Sequence, residues 1–206
     1  MSESPNGILP NKLEQWFTRQ MLYFTRFLSQ SRVTPNTITI ISLFFGLLAG
    51  IFIALHLKVL ALISFILMGV LDILDGQLAV HTGQTSQFGA VLDSTIDRYN
   101  EAFIYTGFGI YFYRLDQPLW ILVAAAALIG SVLVSYVKAR AEGAQLSCRV
   151  GLLQRAERLV LLGLGILTHG WVLKTILLIL AVMTNVTVVQ RLYNVKSEWL
   201  KQVDGN

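Results

Sequence analysis

Asp72-Ile73-Leu74-Asp75-Gly76-Gln77-Leu78-Ala79-Val80, followed after a short polar turn by Gly89-Ala90-Val91-Leu92-Asp93-Ser94-Thr95-Ile96-Asp97, is the stretch on which the reading of this chain turns. Asp72 and Asp75 are three residues apart, and Asp93 and Asp97 four apart, so each pair shares one face of a helix. Gly83, with Thr82, Thr85 and Ser86 around it, marks a turn between the two helices. Such a turn makes them antiparallel neighbours and lets four carboxylates converge at one depth.

The surroundings of these carboxylates are apolar. Of the 206 residues 54% are hydrophobic and only 14% charged, whereas a water-soluble domain carries about a quarter charged residues. Six apolar segments stand out: Asn36 to His56, Lys58 to Val80, Ser86 to Tyr113, Pro118 to Ala141, Gly151 to Thr168 and Trp171 to Tyr193. Several approach the roughly 20 residues that cross a bilayer as a helix, and a span in lipid must be helical to satisfy its own backbone. The expected fold is an all-α integral membrane protein with six transmembrane helices. Asp116 and Pro118 mark a turn, with Pro118 opening the fourth span, and 142–150 reads as a polar loop. Met1 to Pro10 is polar and shows no signal-peptide or transit pattern. The single cysteine, Cys148, excludes an intrachain disulfide and reads as a packing or loop residue.

When the spans alternate, Lys58, Arg114 and Lys174 fall on one side, and the rest of the 16 Lys and Arg fall on the other. The positive-inside rule then predicts a multi-pass cell-membrane protein with both termini, the 82–85 turn and the aspartates on the cytosolic side. Ahead of the first span, Leu13, Trp16, Phe17, Met21, Phe24 and Leu28 share one helical face, while Lys12, Arg19 and Arg26 recur elsewhere. That pattern predicts an interfacial amphipathic helix over 11–30, lying on the anionic leaflet. The chain thus divides into an N-terminal segment (1–33), a six-helix domain (34–196) and a polar cytosolic tail (197–206). The bilayer is its expected environment, and nothing in the pattern calls for nucleic acid.

Four clustered carboxylates inside a membrane repel one another and cost several kcal/mol each if left unpaired. Protonation, pairing with Arg98 or Lys138, or bound cations would each relieve this. Hard divalent ions accept several carboxylate oxygens, and two ions a few Å apart would form a two-metal site. Mg2+ suits these oxygens, and Mn2+ fits them too. Gly76 follows Asp75 directly and Gly89 lies one turn before Asp93. At both positions a phosphate-bearing ligand or a neighbouring helix can come close. Membrane helices often use such residues simply for packing.

The interval pattern Asp72, Asp75, Gly76, Ala79, then Gly89, Asp93 and Asp97 resembles the signature of the CDP-alcohol phosphatidyltransferases. Val80 is the one departure, standing where that family has arginine. The resemblance implies Asp72, Asp75 and Asp93 as metal ligands. It makes Asp97 the general base, with a possible second role at a metal. CDP-diacylglycerol or a similar CDP-lipid would be the donor and CMP the leaving group, and a homodimer is implied as well. Pro35, Asn36 and Thr37 resemble the family's nucleotide-side segment. With Asp72, Gly76, Ala79 and Gly89 they form the expected CDP-lipid site.

The stretches Ser135 to Gly143, Gly151 to Arg158 and Thr187 to Arg191 are similar to the phosphatidylinositol-phosphate and archaetidylinositol-phosphate synthase branch. The implied acceptor is inositol phosphate, held by Lys138, Arg140, Arg155, Arg158 and Arg191. Glycerol 3-phosphate is the close alternative. Among other classes, a transporter predicts internal repeats and broken helices, and an aspartate-rich prenyltransferase predicts two separate motifs on different repeats. A catalytically weakened binding protein has only Val80 in its favour.

Overall fold

The computed structural model describes Thr25, residues 33–148 and residues 150–204. Among these the protein is all-α. The helices are α1 (Pro35–Ala54), α2 (Lys58–His81), α3 (Gln87–Arg114), α4 (Pro118–Gly143), α5 (Arg155–Leu167) and α6 (Gly170–Asp204). The amphipathic helix expected over 11–30 lies outside the described residues, apart from Thr25. That residue is helical and buried, with its hydroxyl 3.5 Å from Gln77 Oε1.

The turns form where the sequence places them, for local reasons. Thr34 caps α1 by accepting the Thr37 N–H at 3.3 Å, and Pro35 occupies the first turn. Gly83, at φ 68°, ends the α2 exit, and Ser86 caps α3 by accepting the Gly89 N–H at 2.9 Å. Pro118 opens α4 just after Asp116, which sits at φ 55°.

Two boundaries differ from the sequence expectation. The fifth segment becomes helical only at Arg155, because the chain before it is tied sideways to α6. The Leu152 N–H donates to Gln190 Oε1 and the Leu153 N–H to Thr187 Oγ1, both at 3.2 Å, in place of helical bonds. The last helix runs through Lys196 to Asp204, continuing into the segment set apart as a tail.

Helix α1 packs on α2 and α3, α3 on α4, α4 on α6, and α5 on α6 and α2. The core between them is built from Met68, Ile104, Phe108, Phe112, Leu162, Leu177 and Leu180 with their neighbours. Outward-facing Ile40, Phe44, Ile63, Leu122, Ile129 and Val189 are exposed, as a lipid-facing surface requires. Among the described residues, four helices are long and apolar enough to cross a membrane: α1, α2, α4 and α6. Helix α3 is also long, at 28 residues, but carries the site's charges, while α5 has only 13 residues. At ~1.5 Å per residue α5 spans roughly 20 Å, less than a hydrocarbon core.

The α1–α3 crossing sets the depth of the aspartates, and glycine makes it possible. A Cβ on Gly50 would lie 2.4 Å from the Phe103 carbonyl oxygen, and one on Gly107 would lie 2.4 Å from the Gly50 carbonyl oxygen. Helices in lipid associate largely through such close backbone packing. Gly50→Ala should therefore lower the thermal midpoint of the detergent-solubilised protein, by the ~1–3 kcal/mol typical of overpacking. Gly69→Ala serves as the control, since its Cβ would meet nothing within 4 Å. Equal midpoints for the two variants would refute the glycine-dependent crossing.

Candidate metal and nucleotide site

Helices α2 and α3 bring their carboxylates together at the end of the bundle where the 82–86 turn joins them. One oxygen each from Asp72, Asp93 and Asp97 lies within 4.8 Å of the others. Asp97 is buried at 6% exposure, and Asp72 and Asp93 are half-buried. Asp75, 4% exposed, is turned toward α1, where the Thr39 hydroxyl donates to its Oδ2.

Asp75 and Asp93 both line a cleft with about 560 Å³ of empty space. Its other walls include Pro35, Asn36 and Thr39 of α1, Gly76 and Ala79 of α2, and Gly89 of α3. The two glycines play different parts here. A Cβ on Gly76 would meet nothing within 4 Å, so its bare backbone faces open space rather than a packed helix. A Cβ on Gly89 would lie 3.2 Å from Asn36 Oδ1 and 3.0 Å from Ser86 Oγ, so this glycine lets α3 seat against α1. Thr37 is exposed and does not line the cleft; its hydroxyl pairs with that of Thr34 at 2.9 Å.

The five basic residues proposed around the acceptor have separate surroundings. Arg155, the first residue of α5, bridges the site: its Nη2 donates to Asp72 Oδ1 at 3.0 Å and also to Asp97 Oδ1. Arg158 is buried in an ion pair with Glu101 at 2.9 Å. Arg191 is buried too, donating from Nε to the Val150 carbonyl at 3.0 Å and from Nη1 to the Val134 carbonyl. Lys138 is exposed and pairs with Glu142 at 3.8 Å, and Arg140 is exposed on the last turn of α4. Only Arg155 of the five touches the aspartates. Val80, 73% exposed, follows Ala79 at the cleft rim.

Sequence reasoning missed Thr39 and Glu101. Thr39 is signalled only by its position one turn into a span, on the same face as Pro35. Glu101 continues the four-residue spacing of Asp93 and Asp97 by one further step.

The donor set fits divalent cations. It offers clustered carboxylate oxygens, the hard ligands that such ions take. Among the described residues, the cations in contact with the aspartates are Arg155 and Arg98, the latter 3.6 Å from Asp97. Two guanidinium groups beside four carboxylates leave an excess of negative charge. Asp72, Asp93 and Asp97 are the residues here that could hold a divalent cation.

A sequence profile of the CDP-alcohol phosphatidyltransferases matches residues 32–188. The chain is 37% identical over 166 residues to the archaetidylinositol phosphate synthase of Pyrococcus horikoshii, covering 80% of this chain and 84% of that one. Its fold is similar to the phosphatidylinositol phosphate synthase of Mycobacterium tuberculosis in two crystal structures. With CDP-DAG bound, the match has a TM-score of 0.80 at 26% identity, covering 86% of this chain and 94% of the other. With manganese and citrate, the TM-score is 0.77 at 27% identity, covering 85% and 88%. A bundle of long apolar helices, carboxylates spaced to meet at a cleft, and this breadth of likeness place the chain in the CDP-alcohol phosphatidyltransferase family, as a membrane phosphotransferase of phospholipid biosynthesis.

Proposed function

We propose that this enzyme transfers a phosphatidyl-type group from a CDP-lipid, CDP-diacylglycerol or a close analogue, to a hydroxyl of inositol phosphate and releases CMP. The observation that carries the reading is the convergence of Asp72, Asp93 and Asp97 within 4.8 Å beside an open cleft, with an arginine on two of them. The relatives named as inositol-phosphate lipid synthases supply the acceptor class.

Asp72, Asp75, Asp93 and Asp97 would hold two Mg2+ ions, or Mn2+ in their place. When bound, these ions supply positive charge that offsets the negative charge of the diphosphate during transfer. Pro35, Asn36, Gly76, Ala79 and Gly89 shape the cleft that receives the cytidine diphosphate, and the bare Gly76 backbone admits the phosphates closely. Asp97 takes the proton of the acceptor hydroxyl. The oxygen then bonds to the lipid-side phosphorus as the bond from that phosphorus to the CMP oxygen breaks. CMP carries away the electron pair.

Arg155 contacts both Asp72 and Asp97, so an acceptor phosphate gripped by its planar fork would bring the hydroxyl beside its base. Lys138 and Arg140 are the exposed cations that can guide the acceptor in. The positive-inside distribution supports six spans with the site and both termini in the cytosol, and family resemblance supports a homodimer.

Three measurements test this reading. In detergent with Mg2+, CMP release should require inositol phosphate, and serine and free inositol should give none. No release with any acceptor would sink the proposal, and release with glycerol 3-phosphate alone would transfer it to a phosphatidylglycerophosphate synthase.

Asp97→Asn should lower kcat by about 10²- to 10⁴-fold, the range for loss of a positioned base. A variant that keeps wild-type kcat would remove Asp97 from the chemistry. Arg155→Ala should raise the KM for inositol phosphate roughly 10- to 100-fold, matching loss of a charged hydrogen bond of about 1.5–3 kcal/mol. An unchanged acceptor KM would show that Arg155 does not hold the phosphate.

A further inference from the structure

Deeper in the bundle, α3 and α5 are joined a second time. Glu101 lies one turn beyond Asp97 on α3, and Arg158 three residues beyond Arg155 on α5. Arg158 Nη2 donates to Glu101 Oε1 at 2.9 Å, with Arg158 1% and Glu101 5% exposed. Two rungs therefore run between these helices. Arg155 on Asp97 forms the upper rung at the site, and Arg158 on Glu101 forms the lower one in the core.

The lower rung has a task that apolar packing does not perform. Helix α5 packs on α2 and α6, and α3 is not among the helices packed closely against it. Its entry segment is tied to α6 as well, through Thr187 and Gln190. Besides the rungs, the contact with α3 includes the Phe108 ring, whose Cζ would lie 3.5 Å from a Cβ on Gly165. Apolar contacts tolerate rotation and sliding, whereas a buried ion pair fixes both. A buried pair adds little net stability over an apolar replacement, and its best-attested service is to specify register. Arg155 needs that service most, because it is the first residue of its helix and has no preceding turn to orient it.

We propose that Glu101 and Arg158 are positioning residues, which fix the rotation and depth of α5 and thereby deliver Arg155 to Asp72 and Asp97. The acceptor readout rests on the function proposed above; the metal readout does not. The sequence suggested instead that Arg158 grips the acceptor phosphate, and the two roles make opposite predictions for Glu101.

The test is a double-mutant cycle on the full-length protein in detergent, using E101Q, R158M, the double variant and R158K. Retention of fold is checked by size exclusion and helical circular dichroism. In the positioning role each single variant raises the KM for inositol phosphate about 10-fold and leaves that for CDP-diacylglycerol within about twofold. The double variant is no worse than the worse single, and R158K recovers part of the loss. Should the singles fail to fold, the uncharged double variant is read alone: a raised acceptor KM supports the role and a wild-type value overturns it. If Arg158 binds the acceptor itself, R158M raises the acceptor KM while E101Q, which frees the guanidinium, leaves it unchanged or lowers it. That result overturns the proposal. So does a lowered thermal midpoint with wild-type kinetics, which would mark the pair as merely structural.

Mn2+ affinity by electron paramagnetic resonance gives a readout independent of turnover. Because Arg155 pairs with the metal-binding aspartates, E101Q and R158M should move Mn2+ affinity in the same direction as R155A, and wild-type affinity in both overturns the proposal. A wild-type enzyme that releases no CMP with inositol phosphate, but shows these shifts in its variants, would defeat the acceptor assignment and leave the positioning role standing.

Discussion

The rest of this structure depends on holding like charges together where water is scarce. Carboxylate oxygens within 4.8 Å of one another repel by roughly 3 kcal/mol or more per pair of unit charges at an effective dielectric of about 20. An unconstrained chain would let them separate. Here they sit on two helices joined by the short 82–86 turn, and α1 is wedged against both. The wedge is tight because Gly50 and Gly107 allow near contact of α1 and α3. Rigid packing bears the strain of the cluster, and the residual negative charge becomes affinity for cations.

Helix α3 shows how much is asked of one element. Asp93 and Asp97 serve the site. Phe103 and Gly107 meet α1, Glu101 reaches α5, and Phe108 and Phe112 enter the core. A helix with so many obligations cannot be uniformly apolar, which is why it does not stand with α1, α2, α4 and α6 as a candidate span on length and composition. Its partners must shield it. The chemistry of the site and the stability of the bundle are therefore drawn from the same residues.

The parts legible in the sequence are those governed by local periodicity. Three- and four-residue spacings fix helix faces, so the meeting of Asp72, Asp93 and Asp97 followed from the chain alone. The turns at Gly83 and Pro118 did as well. What stayed hidden was the choice of partner over long sequence distances. Arg155 and Arg158 look alike in sequence, yet one opens a helix and pairs with the aspartates, while the other lies buried against Glu101. Arg191 resembles both and instead bonds backbone carbonyls at Val150 and Val134. No spacing rule separates these outcomes, because each depends on which helix lies opposite. The delayed start of α5 has the same origin, in side chains from α6 that take backbone N–H groups before the helix can.

Val80 bears on the same balance of charge. The family resemblance expects arginine there, one residue beyond Ala79 and at the rim of the cleft. Valine at this place is 73% exposed and offers no charge to a diphosphate. Among the described residues, the positive charge in direct contact with the aspartates then comes from α3 and α5, through Arg98 and Arg155. Of these, Arg155 alone is shared between two carboxylates of different helices. A family member without the rim arginine would lean more heavily on bound cations at the cleft, and on the register of α5 to keep its remaining central guanidinium in place. The buried Glu101–Arg158 pair serves that second need, which makes α5 as much a part of the site as the two helices that carry the aspartates.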